Sequence, residues 1–80
     1  MSKPRMVRAT FSNGVTKTRS STSRVYTHAY LFISKGGSAH FGFSASEAQC
    51  LTNLEAESAW VRRNQGPLQF AEVIPVEIVR

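Results

Sequence analysis

The run Arg24-Val25-Tyr26-Thr27-His28-Ala29-Tyr30-Leu31-Phe32-Ile33 constrains this chain most. It is the longest stretch of β-branched and aromatic residues, and it stops at a turn signal, Ser34-Lys35-Gly36-Gly37. Side chains of a strand alternate between two faces. One face then carries Val25, Thr27, Ala29, Leu31 and Ile33, an aliphatic row that reads as core. The other carries Arg24, Tyr26, His28, Tyr30 and Phe32, an aromatic row with a basic head. In so short a chain nothing obvious covers that second row, and what it binds becomes the functional question.

The segments before this strand read as a hairpin. Residues 1–5 form a loose basic lead-in, since Pro4 lacks a backbone donor and the first residues have little to pack against. Residues 6–12 alternate, with Val7, Ala9 and Phe11 on one side and Arg8 and Thr10 on the other. Asn13-Gly14 predicts a two-residue type I′ turn, which needs positive φ at both positions. Residues 15–19 return as a polar, basic strand suited to a sheet edge, where Lys and Arg discourage further pairing. Residues 20–23 are a short polar connector, either solvated or a basic loop of the kind that contacts phosphates.

After the Lys35-Gly36-Gly37 turn, residues 38–43 form another strand. Ala39, Phe41 and Phe43 point toward the aliphatic core, and His40 falls on the aromatic side near His28 or Tyr30. Ser44-Ala45-Ser46-Glu47 matches a capping box and opens a helix expected to run to about Arg63. At 100° per residue, Ala48, Cys50, Leu51, Leu54, Ser58, Ala59 and Val61 share a broad core face. Trp60 falls away from it, as a contact residue or under the 64–68 loop. Gly66-Pro67 ends the helix. Residues 69–79 make the last strand, at an edge or bulged at Pro75, which cannot donate to a ladder. The expected architecture is α+β: one two-layer antiparallel sheet of four to five strands, order β-β-β-β-α-β, with one helix on one face.

Charge sharpens the question of the partner. The chain is 80 residues, one small domain, with net charge +5. Residues 1–40 hold seven cations and no acid, whereas residues 41–80 hold three cations against five glutamates. A field this one-sided favours an anionic partner, either nucleic acid or an acidic protein patch. No apolar run approaches the roughly 18 residues of a membrane span, and no signal-peptide pattern opens the chain. A soluble protein of the cytoplasm is therefore expected, without a membrane partner.

Catalysis finds little support. The lone Cys50 excludes an intrachain disulfide and a multi-cysteine zinc site, and it lies on the core face of the helix, where a thiol is inert. Two histidines without further ligands at suitable spacing make a weak metal site. Gly36-Gly37 reads as a turn, not a phosphate loop. No enzyme activity, cofactor or metal is expected. The surface expected to bind a partner comprises Arg8, Lys17, Arg19, Arg24, Tyr26, His28, Tyr30, Phe32, His40 and Trp60. Aromatic rings on an open sheet can stack bases, anchor a protein interface or meet across a homodimer.

Residues 24–30, Arg-Val-Tyr-Thr-His-Ala-Tyr, followed by Gly42-Phe43-Ser44 at the helix entry, resemble a pattern in small proteins carried by phages and mobile elements, over about residues 7–60. In size, basic charge and α+β make-up the chain is also similar to anti-CRISPR proteins. That resemblance implies a non-enzymatic inhibitor in the host cytoplasm that docks on a CRISPR–Cas effector and blocks target DNA binding or nuclease recruitment. Anti-CRISPR proteins share no common motif, so no site residues carry over. A basic chain departs from their acidic DNA mimics and implies contact with an acidic or RNA-bearing surface, or with a Cas subunit directly. The alternatives are a small nucleic-acid-binding module and a homodimeric interaction module.

Overall fold

The computed structural model describes residues 5–79. The expected lead-in falls mostly outside them, on residues 1–4, and Arg5 already belongs to the first strand. The fold is α+β and antiparallel, as expected, but its strands form two sheets of three. In chain order the elements are β1 (Arg5–Thr10), β2 (Thr16–Ser21), β3 (His28–Ile33), β4 (Ala39–Ser44), α1 (Glu47–Gln65), β5 (Phe70–Pro75) and β6 (Glu77–Ile78). The strand orders are β2-β1-β6 and β4-β3-β5.

Pro75 causes the split. The expected single last strand ends at Pro75, and Val76 donates its amide to the Thr27 carbonyl before the chain crosses to pair Glu77 and Ile78 with β1. One continuous segment thus closes both sheets, and the proline marks the step between them.

Both hairpins use the same turn. Gly14 donates to the Phe11 carbonyl while Phe11 donates to that of Val15; Gly37 and Ser34 repeat this with Ser34 and Ser38. These are three-residue loops with glycine at the bulge position, at φ +91° and +96°. The expected two-residue type I′ turn at Asn13-Gly14 is therefore corrected. Asn13 sits inside the loop, its Oδ1 accepting from the Val15 amide.

Strand β3 is buried on both sides, and this overturns the open aromatic face. Ala29 and Leu31 pack with Ala9 and Phe11 of the β1 hairpin, flanked by Phe43, Phe70 and Ile74. On the opposite side Tyr30 and Phe32 pack under α1 against Cys50 and Val61. Tyr30 is 5% exposed and Phe32 1%. The helix lies on the aromatic row, and the second sheet, absent from a two-layer picture, covers the aliphatic one.

The helix starts two residues later than the capping box suggests. Ser46 is the N-cap, its Oγ accepting from the Gln49 amide at 3.1 Å. Ser44 instead ends β4 and accepts from Asn53 Nδ2. Cys50, Ser58 and Val61 are the buried helix residues, while Ala48 and Leu51 are exposed, so the apolar stripe is narrower than the composition suggests. Gly66, at φ +99°, closes the helix by donating to the Arg62 carbonyl.

Candidate interaction surface

The register of the β1–β2 hairpin decides where the basic side chains go. Lys17 lies opposite Ala9 and Arg19 opposite Val7. Both cations therefore share the face that packs toward the β4-β3-β5 sheet, on the side of its edge strand β4. There Lys17 Nζ sits 4.6 Å from the centroid of the Phe41 ring, and Arg19 Cζ lies 5.6 Å from that of Tyr26. Such contacts contribute about 0.5–1 kcal/mol each at exposed sites.

The rings beneath form a chain. Tyr26 meets Phe43 edge-on at 5.9 Å, and Phe43 meets Phe41 edge-on at 6.2 Å. Tyr26 reaches this side because residues 24–27 do not continue β3. The Ser21 hydroxyl accepts from the amides of Ser23 and Arg24 and bends the chain. The alternation expected from Arg24 onward is thereby broken, and Tyr26 lies on the face opposite Tyr30. Strand β2 also runs through Ser21, so the connector begins at Thr22 and not at Ser20.

An open cleft of about 490 Å³ continues the strip past the end of β4. Arg24, Val25 and Tyr26 form one wall, Gln49 and Asn53 of α1 the other, and Phe43 lies between. Gln49 Nε2 donates to Asn53 Oδ1 at 3.0 Å and Asn53 Nδ2 to Ser44 Oγ at 3.1 Å. The helical wall is thus tied to the strand.

Of the ten residues expected to bind a partner, the structure gathers Lys17, Arg19, Arg24 and Tyr26 in this strip. Tyr30 and Phe32 are core. His28 is half-buried, with Nδ1 2.9 Å from the Thr27 hydroxyl. His40 is on the aromatic side as expected, but it stacks on Phe32 at 4.8 Å and lies four residues along β4 from Ser44, the partner of His28. Arg8 points to the other face of its sheet and pairs with Glu77 at 2.9 Å. Trp60 is 61% exposed, so the 64–68 loop does not cover it. Phe41 belongs to the surface although its pattern placed it in the core: it is 43% exposed at the sheet edge. The signal for it was the uncharged sequence of residues 39–44 beside a turn.

The electrostatics of the strip are one-sided. Among the described residues the single ion pair is Arg8–Glu77, and Lys17, Arg19 and Arg24 have no carboxylate partner. The arrangement offers cations held over aromatic rings, which suits an acidic, partly apolar surface. Cys50 lies apart from it, fully buried, and burial pushes its thiol up, against hydrogen bonds from Ser44 that lower it. The described residues contain no cluster of three His, Cys, Asp or Glu side chains placed to hold a metal. None of their helices is long and apolar enough to cross a membrane. Comparison with protein-family models, with curated proteins and with solved structures finds no match.

Proposed function

We propose that this protein is a non-enzymatic binding protein that grips an acidic surface of a protein partner through Lys17, Arg19, Arg24, Tyr26 and Phe41. The observation that carries the reading is the placement of two cations, without carboxylate partners among the described residues, over the exposed Phe41 ring and the half-buried Tyr26 ring. Aromatic and arginine side chains in such clusters dominate interface energies, and unpaired cations steer an acidic partner toward them. The resemblance to anti-CRISPR proteins supplies the partner to try first: a subunit of a CRISPR–Cas effector, whose DNA binding or nuclease recruitment would be blocked.

A pull-down from a lysate containing such an effector tests this, using wild type and Lys17→Glu/Arg19→Glu. Both substitutions lie on an edge strand, which lets the fold survive them. Recovery by wild type and loss in the variant is expected; equal recovery by both would sink the reading.

Nucleic acid is the second reading, favoured by the same mixture of cations and rings. It ranks lower because Lys17 already occupies one face of the Phe41 ring and Arg19 lies over Tyr26, the surfaces on which bases would stack.

A further inference from the structure

The bond pattern of the β3–β4 hairpin fixes which main-chain groups of β4 are spoken for. Ser34 donates to the Ser38 carbonyl and Gly37 to that of Ser34, so Ser34 and Ser38 form a hydrogen-bonded pair. Along an antiparallel ladder such pairs alternate. In this register Phe32–His40 and Tyr30–Gly42 exchange bonds next. The N–H and C=O groups of Ala39, Phe41 and Phe43 therefore point away from β3, to an edge that no strand occupies among the described residues.

This edge lacks the usual protection. Natural edge strands carry Lys, Pro or bulges, or are very short. Strand β2 has Lys17 and Arg19, β5 ends in Pro75, and β6 is two residues long. Strand β4, Ala-His-Phe-Gly-Phe-Ser, has six residues, no charged side chain and no proline.

We propose that the β4 edge receives an extended acidic segment of the partner protein, which adds to the β4-β3-β5 sheet as a fourth strand. This rests on the binding reading above and specifies how the same surface is used. A strand added there turns one row of side chains toward Lys17, Arg19 and Phe41, so carboxylates belong in that row. The other row faces His40 and the flank of α1. On that flank Trp60 lies two turns beyond Asn53, which is bonded to Ser44 of β4. The helix then runs back toward the β3–β4 turn, where Gln65 lies beside the Gly36 position. Trp60, 61% exposed, lies on the same side of the helix as Asn53, so apolar side chains belong in that second row. Charge also chooses between occupants. A second copy pairing β4 to β4 would bring two Lys17–Arg19 sets together with no acid between them, whereas an acidic segment neutralises one set.

The test uses a synthetic peptide that alternates Glu with Val and Phe, and the same peptide N-methylated at every amide, which leaves neither of its edges a donor for pairing. Amide hydrogen exchange of the whole protein is followed by NMR. The unmodified peptide is expected to slow exchange at Ala39, Phe41 and Phe43 about tenfold or more, leaving His40 and Gly42, already bonded, unchanged. N-methylation, or Lys17→Glu/Arg19→Glu in the protein, abolishes the effect. Unchanged exchange at the three outward amides, equal binding of the N-methylated peptide, or a dimer by light scattering whose outward β4 amides are already protected without peptide would each overturn the proposal. If the pull-down still depends on Lys17 and Arg19 while the outward amides stay unprotected, edge pairing falls and the binding reading stands. A pull-down insensitive to those residues brings down the reading itself.

Discussion

Gly42 is the position where one added methyl group discriminates most sharply. In β4 it lies opposite Tyr30, whose ring leans across it under the helix. A Cβ built at Gly42 would meet Tyr30 Cε2 at 2.6 Å, Cζ at 2.8 Å and Oη at 2.9 Å, all inside van der Waals contact. The ring cannot swing away freely. It stacks parallel to Phe32 at 6.3 Å and is held by Cys50 and Val61 of α1. Overpacking of this kind costs about 1–3 kcal/mol. Natural domains of this size are stable by about 4–12 kcal/mol, so the loss is a large share. At roughly 4–8 °C per kcal/mol, a 2 kcal/mol loss lowers the melting temperature by about 8–16 °C. Alanine otherwise suits a strand better than glycine, so propensity alone predicts the opposite sign. Urea unfolding of wild type, Gly42→Ala, Tyr30→Ala and the double variant gives the coupling directly. In the Tyr30→Ala background the Gly42→Ala cost is expected to vanish. A neutral or stabilising Gly42→Ala in the wild-type background would refute the packing argument.

Two further expectations concern the helix and the buried thiol. Ser46→Ala is expected to cost about 1 kcal/mol in urea unfolding through loss of the N-cap bond. If Ser44→Ala instead abolished helix capping, with Ser46→Ala silent, the assigned helix start would be wrong. Burial raises the Cys50 thiol and, with the Glu57 carboxylate and Cys50 adding to it, the Tyr30 phenol. A raised folded value favours the protonated form, so this stability is fully present below the unfolded value and lost as pH rises through the folded one. Unfolding free energy should therefore fall with increasing pH above about pH 9, and less steeply in Cys50→Ala. An unchanged slope in Cys50→Ala would remove the thiol from that explanation.

Much of the fold was legible in the sequence because its punctuation is local. Asn13-Gly14, Lys35-Gly36-Gly37 and Gly66-Pro67 stand where the chain turns, and Pro75 marks a break. The number of sheets was not legible, since it depends on where the chain goes after Pro75, and pairing partners leave no mark in a two-residue strand such as Glu77–Ile78. The burial of Tyr30 and Phe32 did leave a trace. Ala29-Tyr30-Leu31-Phe32-Ile33 is a continuous apolar run, the pattern of a strand covered on both faces and not of one with a face to solvent. The aromatic residues of the run carry binding chemistry, but its continuity is the stronger physical signal. At the candidate surface, Lys17, Arg19, Arg24 and Tyr26 could be picked out as basic or aromatic, but the inversion of Tyr26 follows from the bend at Ser21, which no periodicity encodes.

The choice between an acidic protein and a nucleic acid decides the central claim, and fluorescence anisotropy addresses it. Labelled single-stranded DNA, duplex DNA and RNA are titrated with the protein at several salt concentrations. No binding near physiological salt is expected, with at most weak, salt-quenched association below it. Micromolar or tighter binding at physiological salt, lost in both Lys17→Glu/Arg19→Glu and Phe41→Ala, would contradict the acidic-protein reading and make nucleic acid the partner of this surface.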